Sequence, residues 1–422
     1  EMTSSLVGSE MCIRDRDKGE LQVNVTDMQN NPLKDVKVTI SQPQEGRGTI
    51  ETLNTDISGQ TQTVDLNAPP LALSLDENNL QQPYANYDLQ IDAPGYEVEN
   101  IENVEILPES MAIQNVRMRK AEGTENINIS PHTLYYEYPP KIPEDEIKEV
   151  NEPGEIVLSR VVVPEYVVVH DGTPASNAQD YYVTYKDYIK NVASSEIYAT
   201  WPQAALEANI LAIMSFTLNR VYTEWYRNKG YDFTITSSTA YDQKWIFGRN
   251  IFESISLTVD RIFDNYLSRP DVRQPILTQY CDGKRVTCPN WLSQWGSCNL
   301  GEQGYTTIDI IRNYYGDDMY INTAEQISGI PASWPGYNLD IGASGPKVMQ
   351  MQEQLDTIAQ VYTAIPRVQA DGIYGEGTQA AVRAFQKIFD LPQTGIVDFS
   401  TWYTISQIYV GITRLGEGVP RG

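Results

Sequence analysis

The sequence predicts a multidomain chain: an N-terminal all-β sandwich, a middle domain built round one buried helix, and a C-terminal all-α three-helix bundle. Three patterns carry this. Apolar residues alternate with polar ones near the N-terminus, a run at 204–218 is apolar on nearly every side, and the C-terminal stretch shows apolar faces at helical spacing. A chain of 422 residues also exceeds one ordinary hydrophobic core and suits two or three domains.

In residues 17–120, Leu21, Val23 and Val25 alternate with polar neighbours, Asn30, Asn31 and Pro32 mark a turn, and Val36, Val38 and Ile40 resume the alternation. Thr61, Val64 and Leu66 follow the turn residues Asp56, Ile57, Ser58 and Gly59. Tyr87, Leu89 and Ile91 then lead into Pro94, Gly95 and Tyr96. Short strands at regular spacing indicate a small sandwich. The order of these pieces resembles carboxypeptidase-regulatory-like and Cna-B-like domains, which implies a spacer or adhesive module. Residues 1–16 have no periodicity and closely resemble translated sequencing-adapter read-through, so they are set aside from the fold. With the start obscured, a missing signal peptide leaves the compartment open.

Residues 121–162 shift in composition. Tyr135, Tyr136 and Tyr138 precede Pro139 and Pro140, and Glu144, Asp145, Glu146, Glu149 and Glu152 form an acidic run. This reads as an extended linker whose tyrosines either form a binding strip or dock on a neighbouring domain.

Charge excludes whole classes of partner. Thirty-one Lys and Arg against 56 Asp and Glu give a formal charge of -25, a field that repels phosphate backbones and anionic lipid surfaces. Nucleic acid is therefore not an expected partner. No apolar run approaches the roughly 20 residues that span a bilayer, so no transmembrane segment is expected. The two histidines, His132 and His170, have no metal or nucleophile motif near them in sequence, which argues against His-based zinc sites and Ser-His-Asp triads. No cofactor or metal is expected.

The middle domain, residues 163–325, carries the most specific signal. Its apolar helix follows Glu196 in apolar company and the helix-start pair Trp201 and Pro202. The segment YIKNVASSEIYATWPQAALEANILAIMSFTL resembles the core signature of the stage II sporulation protein D (SpoIID/LytB) family. SSTAYDQKWIFGR, QPILTQYCDG, WLSQWGS and GYTTIDIIRNYYG resemble four further family segments in the same order.

That resemblance implies an α+β domain and a lytic transglycosylase acting on the bond between N-acetylmuramic acid and N-acetylglucosamine. Glu196 is the implied acid/base, with Ser238, Thr239, Tyr241, Gln243, Ser293 and Gln294 as implied substrate contacts. One carboxyl can suffice: it protonates the glycosidic oxygen, then as carboxylate takes the muramyl 6-hydroxyl proton, leaving a 1,6-anhydro product. Hydrolases, in contrast, normally need a carboxylate pair. Apolar surroundings would keep Glu196 protonated near neutrality. The chain departs from the family pattern at Asn209, where glutamine is usual, and at Met214, where an arginine is usual. A replacement cation would have to come from Lys190, Arg220 or Arg249. The stretch from Ser237 to Tyr241 also lacks the His and Cys that bind zinc in some members, and Thr287, Cys288 and Pro289 replace a histidine motif.

Setting Cys12 aside leaves Cys281, Cys288 and Cys298, an odd number. Asp282, Gly283 and Lys284 make a hairpin-turn signal that would place Cys281 and Cys288 across two strands. A disulfide between them and buried free thiols are the two outcomes.

In residues 337–410, Val348, Met351, Gln352 and Leu355 form one helical face, and Thr378, Ala381, Val382 and Phe385 another, around the turn ADGIYGEGTQ. The whole stretch resembles the type 1 peptidoglycan-binding domain family. Core and turn roles absorb most of its motif, leaving binding to exposed groups around Tyr374, Thr378, Gln379 and Gln386. Together the two resemblances imply peptidoglycan, both glycan strands and stem peptides, as the partner. They imply a cell-wall, extracellular or spore-associated place in a Gram-positive bacterium. A non-catalytic wall-binding scaffold on a degenerate fold is the alternative.

Overall fold

A computed structural model describes residues 17–43, 48–136, 138–149, 158–329 and 334–413. The read-through resemblance at 1–16 and Glu152 of the acidic run lie outside the described residues.

The N-terminal region is a two-layer sandwich. One layer joins β1 (Asp17–Asp27), β4 (Val64–Ala68) and β7 (Met111–Met118). The other orders β3 (Thr49–Asn54), β2 (Lys37–Ser41), β5 (Ala85–Asp92), β6 (Val98–Ile106) and β8 (Thr124–Asn128). A one-turn helix, α1 (Ala72–Leu75), follows β4. Alternation sets the inward face: Leu21, Val23, Val25, Val38, Ile40, Leu89 and Ile91 are all buried. The turn at Asn30 works because asparagine tolerates its φ of 63°, while Asp27 caps the backbone N–H groups of Gln29 and Asn31.

The middle region is α+β. Short strands β9 (Val162–Val163), β10 (Tyr166–His170) and β11 (Asp180–Thr184) precede α2 (Tyr185–Glu196) and α3 (Gln203–Tyr222). Then come β12 (Ile235–Thr236), β13 (Ile251–Phe252), α4 (Glu253–Ile262), β14 (Asn265–Ser268), β15 (Tyr280–Cys281), β16 (Leu292–Ser293), α5 (Gln294–Glu302), α6 (Thr307–Tyr315), β17 (Tyr320–Thr323) and β18 (Gln326–Ile327). Helix α3 starts after Pro202 and is buried from Ala208 to Tyr222, as its all-round apolar sequence requires. The C-terminal region is a bundle of α7 (Pro346–Val361), α8 (Glu376–Ile388) and α9 (Phe399–Thr413). Both predicted helical faces point inward.

The three regions share one continuous apolar core. Strand β13 of the middle region pairs antiparallel with β7, extending the first sandwich layer. Beside it the Asn250 side chain imitates a strand partner, accepting from Glu105 N at 3.1 Å and donating to Glu105 O at 2.9 Å. Arg249 and Glu105, both buried, form an ion pair at 2.7 Å. The bundle docks on both neighbours: Phe399 and Tyr403 pack on Phe263, and Gln60 donates to Ile388 O at 2.8 Å.

After turns at 133–136, residues 138–148 run across the middle region, and the described residues of 133–148 form a strap. Outside any strand, its backbone groups bond Ala240 O and Leu277 N of the middle region and two glutamine side chains. Gln279 accepts from Glu144 N at 2.9 Å and donates to Ile142 O at 2.8 Å; Gln274 does the same for both backbone groups of Lys148, each at 3.0 Å. Glu144 pairs with the buried Arg220 at 2.6 Å and with Lys148 at 2.8 Å, and Glu146 pairs with Arg269 at 2.9 Å. Burial pushes the Glu144 carboxyl up, but Arg220 and Lys148 outweigh it and hold the group at about 2.

Removing one member of a buried ion pair strands the other charge. Glu105→Ala is expected to destabilise the chain by about 3–5 kcal/mol in chemical denaturation, with Glu105→Ala/Arg249→Met recovering most of that loss.

Candidate active site

Glu196 is the last residue of α2 and has no exposed surface. Two donors hold its carboxyl: Lys244 N–H reaches Oε1 at 2.7 Å, and the Tyr280 hydroxyl reaches Oε2 at 2.5 Å. Tyr280 stands at the start of β15, pinned beside Leu292 of β16. Lys244 follows the family-like TAYDQ stretch, which is fixed by Asp242. That buried carboxylate accepts from Arg220 Nε at 2.7 Å, Tyr226 OH at 2.6 Å and both donors of Thr236.

The strap closes the site. Tyr138 and Lys141 are buried within it. The Lys141 ammonium donates to Asp242 O and lies 4.6 Å from the centre of the Tyr280 ring. Burial pushes the Glu196 carboxyl up; the Lys141 charge and the two hydrogen bonds oppose it without cancelling it. A buried carboxyl of raised pKa holds its proton to higher pH than a free glutamate, and its anion meets ready donors. Among the groups touching Glu196, Lys244 alone is half-buried rather than buried.

The three cations named as replacements for the arginine at Met214 are each held in an ion pair. Lys190 pairs with Asp260, Arg220 with Asp242 and Glu144, and Arg249 with Glu105. Lys141, which the sequence reading passed over, acts on Glu196 instead. Tyr280 was visible only as the tyrosine ending a family-like strand, and Tyr138 only as one of three linker tyrosines.

The other sequence-predicted contacts divide. Ser238 and Tyr241 are half-buried and Thr239 buried; Ser238 O accepts from Tyr241 N and Asp242 N, shaping the turn that delivers Lys244. Gln243 faces inward, braced by Tyr188 OH at 3.1 Å and Thr217 at 2.8 Å. Ser293 caps α5 through Gly296 N at 3.0 Å. Gln294 is buried, and among the described residues neither of its amide atoms has a hydrogen-bond partner.

In the C-terminal bundle the expectation of exposed binding groups is corrected. Tyr374, Thr378 and Gln386 are buried, and only Gln379 is half-exposed. Each buried group has an internal task. Tyr374 OH donates to Gly395 O at 2.8 Å, and Thr378 accepts from Gln352 at 3.0 Å. Gln386 accepts from Gly395 N at 2.8 Å while donating to Ile396 O at 2.9 Å. Gln352 holds the Gly372 turn in the same way. Solvent instead meets Ile341, Met349 and Ile373, which border the paired backbone at 342–345 and 372–374.

Cys281 and Cys288 are bonded, with Cα atoms 5.6 Å apart, and Cys298 is a buried free thiol. Cys288 lies in a loop rather than across a strand, correcting the hairpin expectation. Within that loop Asp282 accepts from the backbone of Lys284, Arg285 and Val286, and Arg285 donates to Tyr136 O and Thr133 O of the strap.

His170 does meet a serine and an aspartate: Nδ1 is 2.7 Å from Asp180, and Nε2 is 3.2 Å from Ser176 Oγ. Nε2 also faces the Ser176 carbonyl at 3.1 Å, which can only accept, while the Ser176 hydroxyl donates to Thr173 O at 2.7 Å. A nitrogen that donates cannot activate that serine, so the trio braces its loop.

Residues 178–258 match the family model described as stage II sporulation protein, and residues 344–405 match that of a putative peptidoglycan binding domain. The chain thus carries a SpoIID domain followed by a peptidoglycan-binding domain. No curated protein matches it. Among solved structures, the SleB N-terminal domain is similar over 18% of this chain and 99% of its own, at 28% identity and a TM-score of 0.16. Wild-type catechol 1,2-dioxygenase of Acinetobacter radioresistens is similar over 27% of this chain and 55% of its own, at 16% identity and a TM-score of 0.17. For 3-chlorocatechol 1,2-dioxygenase from Rhodococcus opacus 1CP the figures are 27%, 62%, 15% and 0.17. The chain spans little more than half of these dioxygenases. No helix among the described residues is long and apolar enough to cross a membrane.

A raised Glu196 pKa fixes a sign for stability. Below the ordinary glutamate range both folded and unfolded states are protonated. As pH rises through it only the unfolded state ionises, and folding weakens until the folded pKa is passed. Glu196→Gln is therefore expected to melt above wild type at about pH 8 and with it at about pH 4, read by calorimetry across that range.

Proposed function

We propose that the chain is a peptidoglycan-binding and peptidoglycan-remodelling protein of the bacterial cell surface, with Glu196 as the acid/base of a lytic transglycosylase. The observation that carries this reading is the Glu196 centre: a carboxyl with no exposed surface, raised by burial, with Tyr280 and Lys244 donating to its two oxygens.

In the first step Glu196 gives its proton to the glycosidic oxygen as the bond to the muramyl anomeric carbon breaks. The carboxylate that results is received by the Tyr280 hydroxyl and the Lys244 amide, already aimed at where negative charge develops. It then takes the proton of the muramyl 6-hydroxyl as that oxygen closes on the anomeric carbon, and the acid is restored. The C-terminal match supports wall attachment, which would raise the local concentration of glycan at the middle domain. The apolar border of Ile341, Met349 and Ile373 and the half-exposed Gln379 are the surfaces left for that contact.

A second reading, a wall-binding scaffold on a retired catalytic fold, is favoured by two facts: the strap leaves Glu196 no open surface, and Met214 is fully buried where the family arginine would stand.

Digestion of purified sacculi, intact and stripped of stem peptides, separates the two. Wild type is expected to release anhydro-muropeptides, detected by mass spectrometry, and Glu196→Gln to lose at least about a hundredfold in rate while still sedimenting with sacculi. No product from either protein, with sedimentation retained, would establish the scaffold.

A further inference from the structure

We propose that Lys141 is a positioning residue of the Glu196 centre: the strap carries its ammonium into the buried pocket, where it fixes the Asp242 carbonyl and the Tyr280 ring and supplies the cation that α3 lacks at Met214. The inference rests on the reading of Glu196 as the acid/base. It extends the catalytic unit beyond residues 178–258, to the segment that joins the sandwich to the middle domain in sequence.

The geometry sets Lys141 behind both donors that hold Glu196. Its ammonium bonds Asp242 O, two residues before the Lys244 N–H that reaches Oε1. The same ammonium lies 4.6 Å from the ring centre of Tyr280, whose hydroxyl reaches Oε2, and 5.7 Å from that of Phe216 on α3. A cation against a ring face holds that ring in place.

Lys141 is 5% exposed, and among the described residues no carboxylate lies within 4.0 Å of its nitrogen. Burying an ammonium without a contact partner is costly, and the compensation here comes from a carbonyl, two ring faces and the nearby Glu196 and Asp242 charges. A structural strap would be served better by an apolar side chain at this point. Position 141 is where the strap gives up packing economy to place a charge beside Glu196.

The groups facing Glu196 are Lys141 and Tyr138 from the strap, Tyr280 from β15, Lys244 from the loop after β12, and Tyr188 from α2. Burial holds all three tyrosines well above their ordinary range, so they stay neutral through any physiological titration. Lys141 and Lys244 are then the charges that tune the carboxyl.

The experiment titrates Glu196 directly in the full chain, by infrared difference spectroscopy of the carboxyl against Glu196→Gln, in wild type, Lys141→Met and Lys141→Arg. Methionine matches the lysine stem and leaves no buried charge, so the variant is expected to fold; Lys141→Gln is the second neutral variant. The Glu196 midpoint is expected to rise in both neutral variants and to stay in Lys141→Arg. On sacculi the neutral variants are expected to release anhydro-muropeptides at least about tenfold more slowly, with the alkaline limb of the profile moved to higher pH. An unchanged midpoint in Lys141→Met and Lys141→Gln overturns the proposal. A risen midpoint in a wild-type background that releases no product supports the placement of Lys141 and overturns the enzyme reading alone.

Discussion

Arg220 is the constraint on which the middle of the molecule turns. Its guanidinium has no exposed surface, and a buried charge of that kind is tolerable only when paired and hydrogen-bonded on every side. Asp242 supplies one partner from within the family-matched segment, and Glu144 supplies the other from the strap. The strap is thus an obligate part of the domain. Lifting it would leave Arg220 half-paired and expose its own Lys148 and Tyr138, which are buried while it is seated. The same network sets the site, because Asp242 fixes the turn that aims Lys244 N–H at Glu196.

From that constraint follows the chemical character of Glu196. Burial raises the pKa of a carboxyl packed beneath Tyr138, Lys141 and Tyr280, while its anion has donors waiting. Single-carboxyl chemistry needs that combination, since one group serves as acid and then as base. The sandwich and the bundle contribute at a distance. They share the core of the middle domain and hold its edges through β13, the Glu105–Arg249 pair and the Phe263 cluster.

Local pattern made much of this legible in the sequence. Period-two alternation marked Leu21, Val23 and Val25 as inward, and the all-round apolar run at 204–218 marked α3 as buried, because burial on one face or on all faces leaves a direct trace in hydropathy. Glu196 was legible through motif order. What stayed hidden was non-local. Nothing in an acidic, proline-rich stretch announces that Lys141 will sit on the ring of Tyr280, because that contact depends on a chain crossing rather than a period. The bundle glutamine Gln386 misled for a related reason. Its amide suits a sugar contact, yet here it clamps the Gly395 turn from inside.

The central claim is that the strap belongs to the folded middle domain and seals Glu196 within it. Hydrogen exchange resolved by peptide over residues 133–148 tests it most directly. The account predicts that these amides exchange nearly as slowly as those of α3, far more slowly than a linker of that composition. Exchange at the rate of an unprotected linker would contradict it, and with it the pairing of Arg220 and Lys141 on which the site is built.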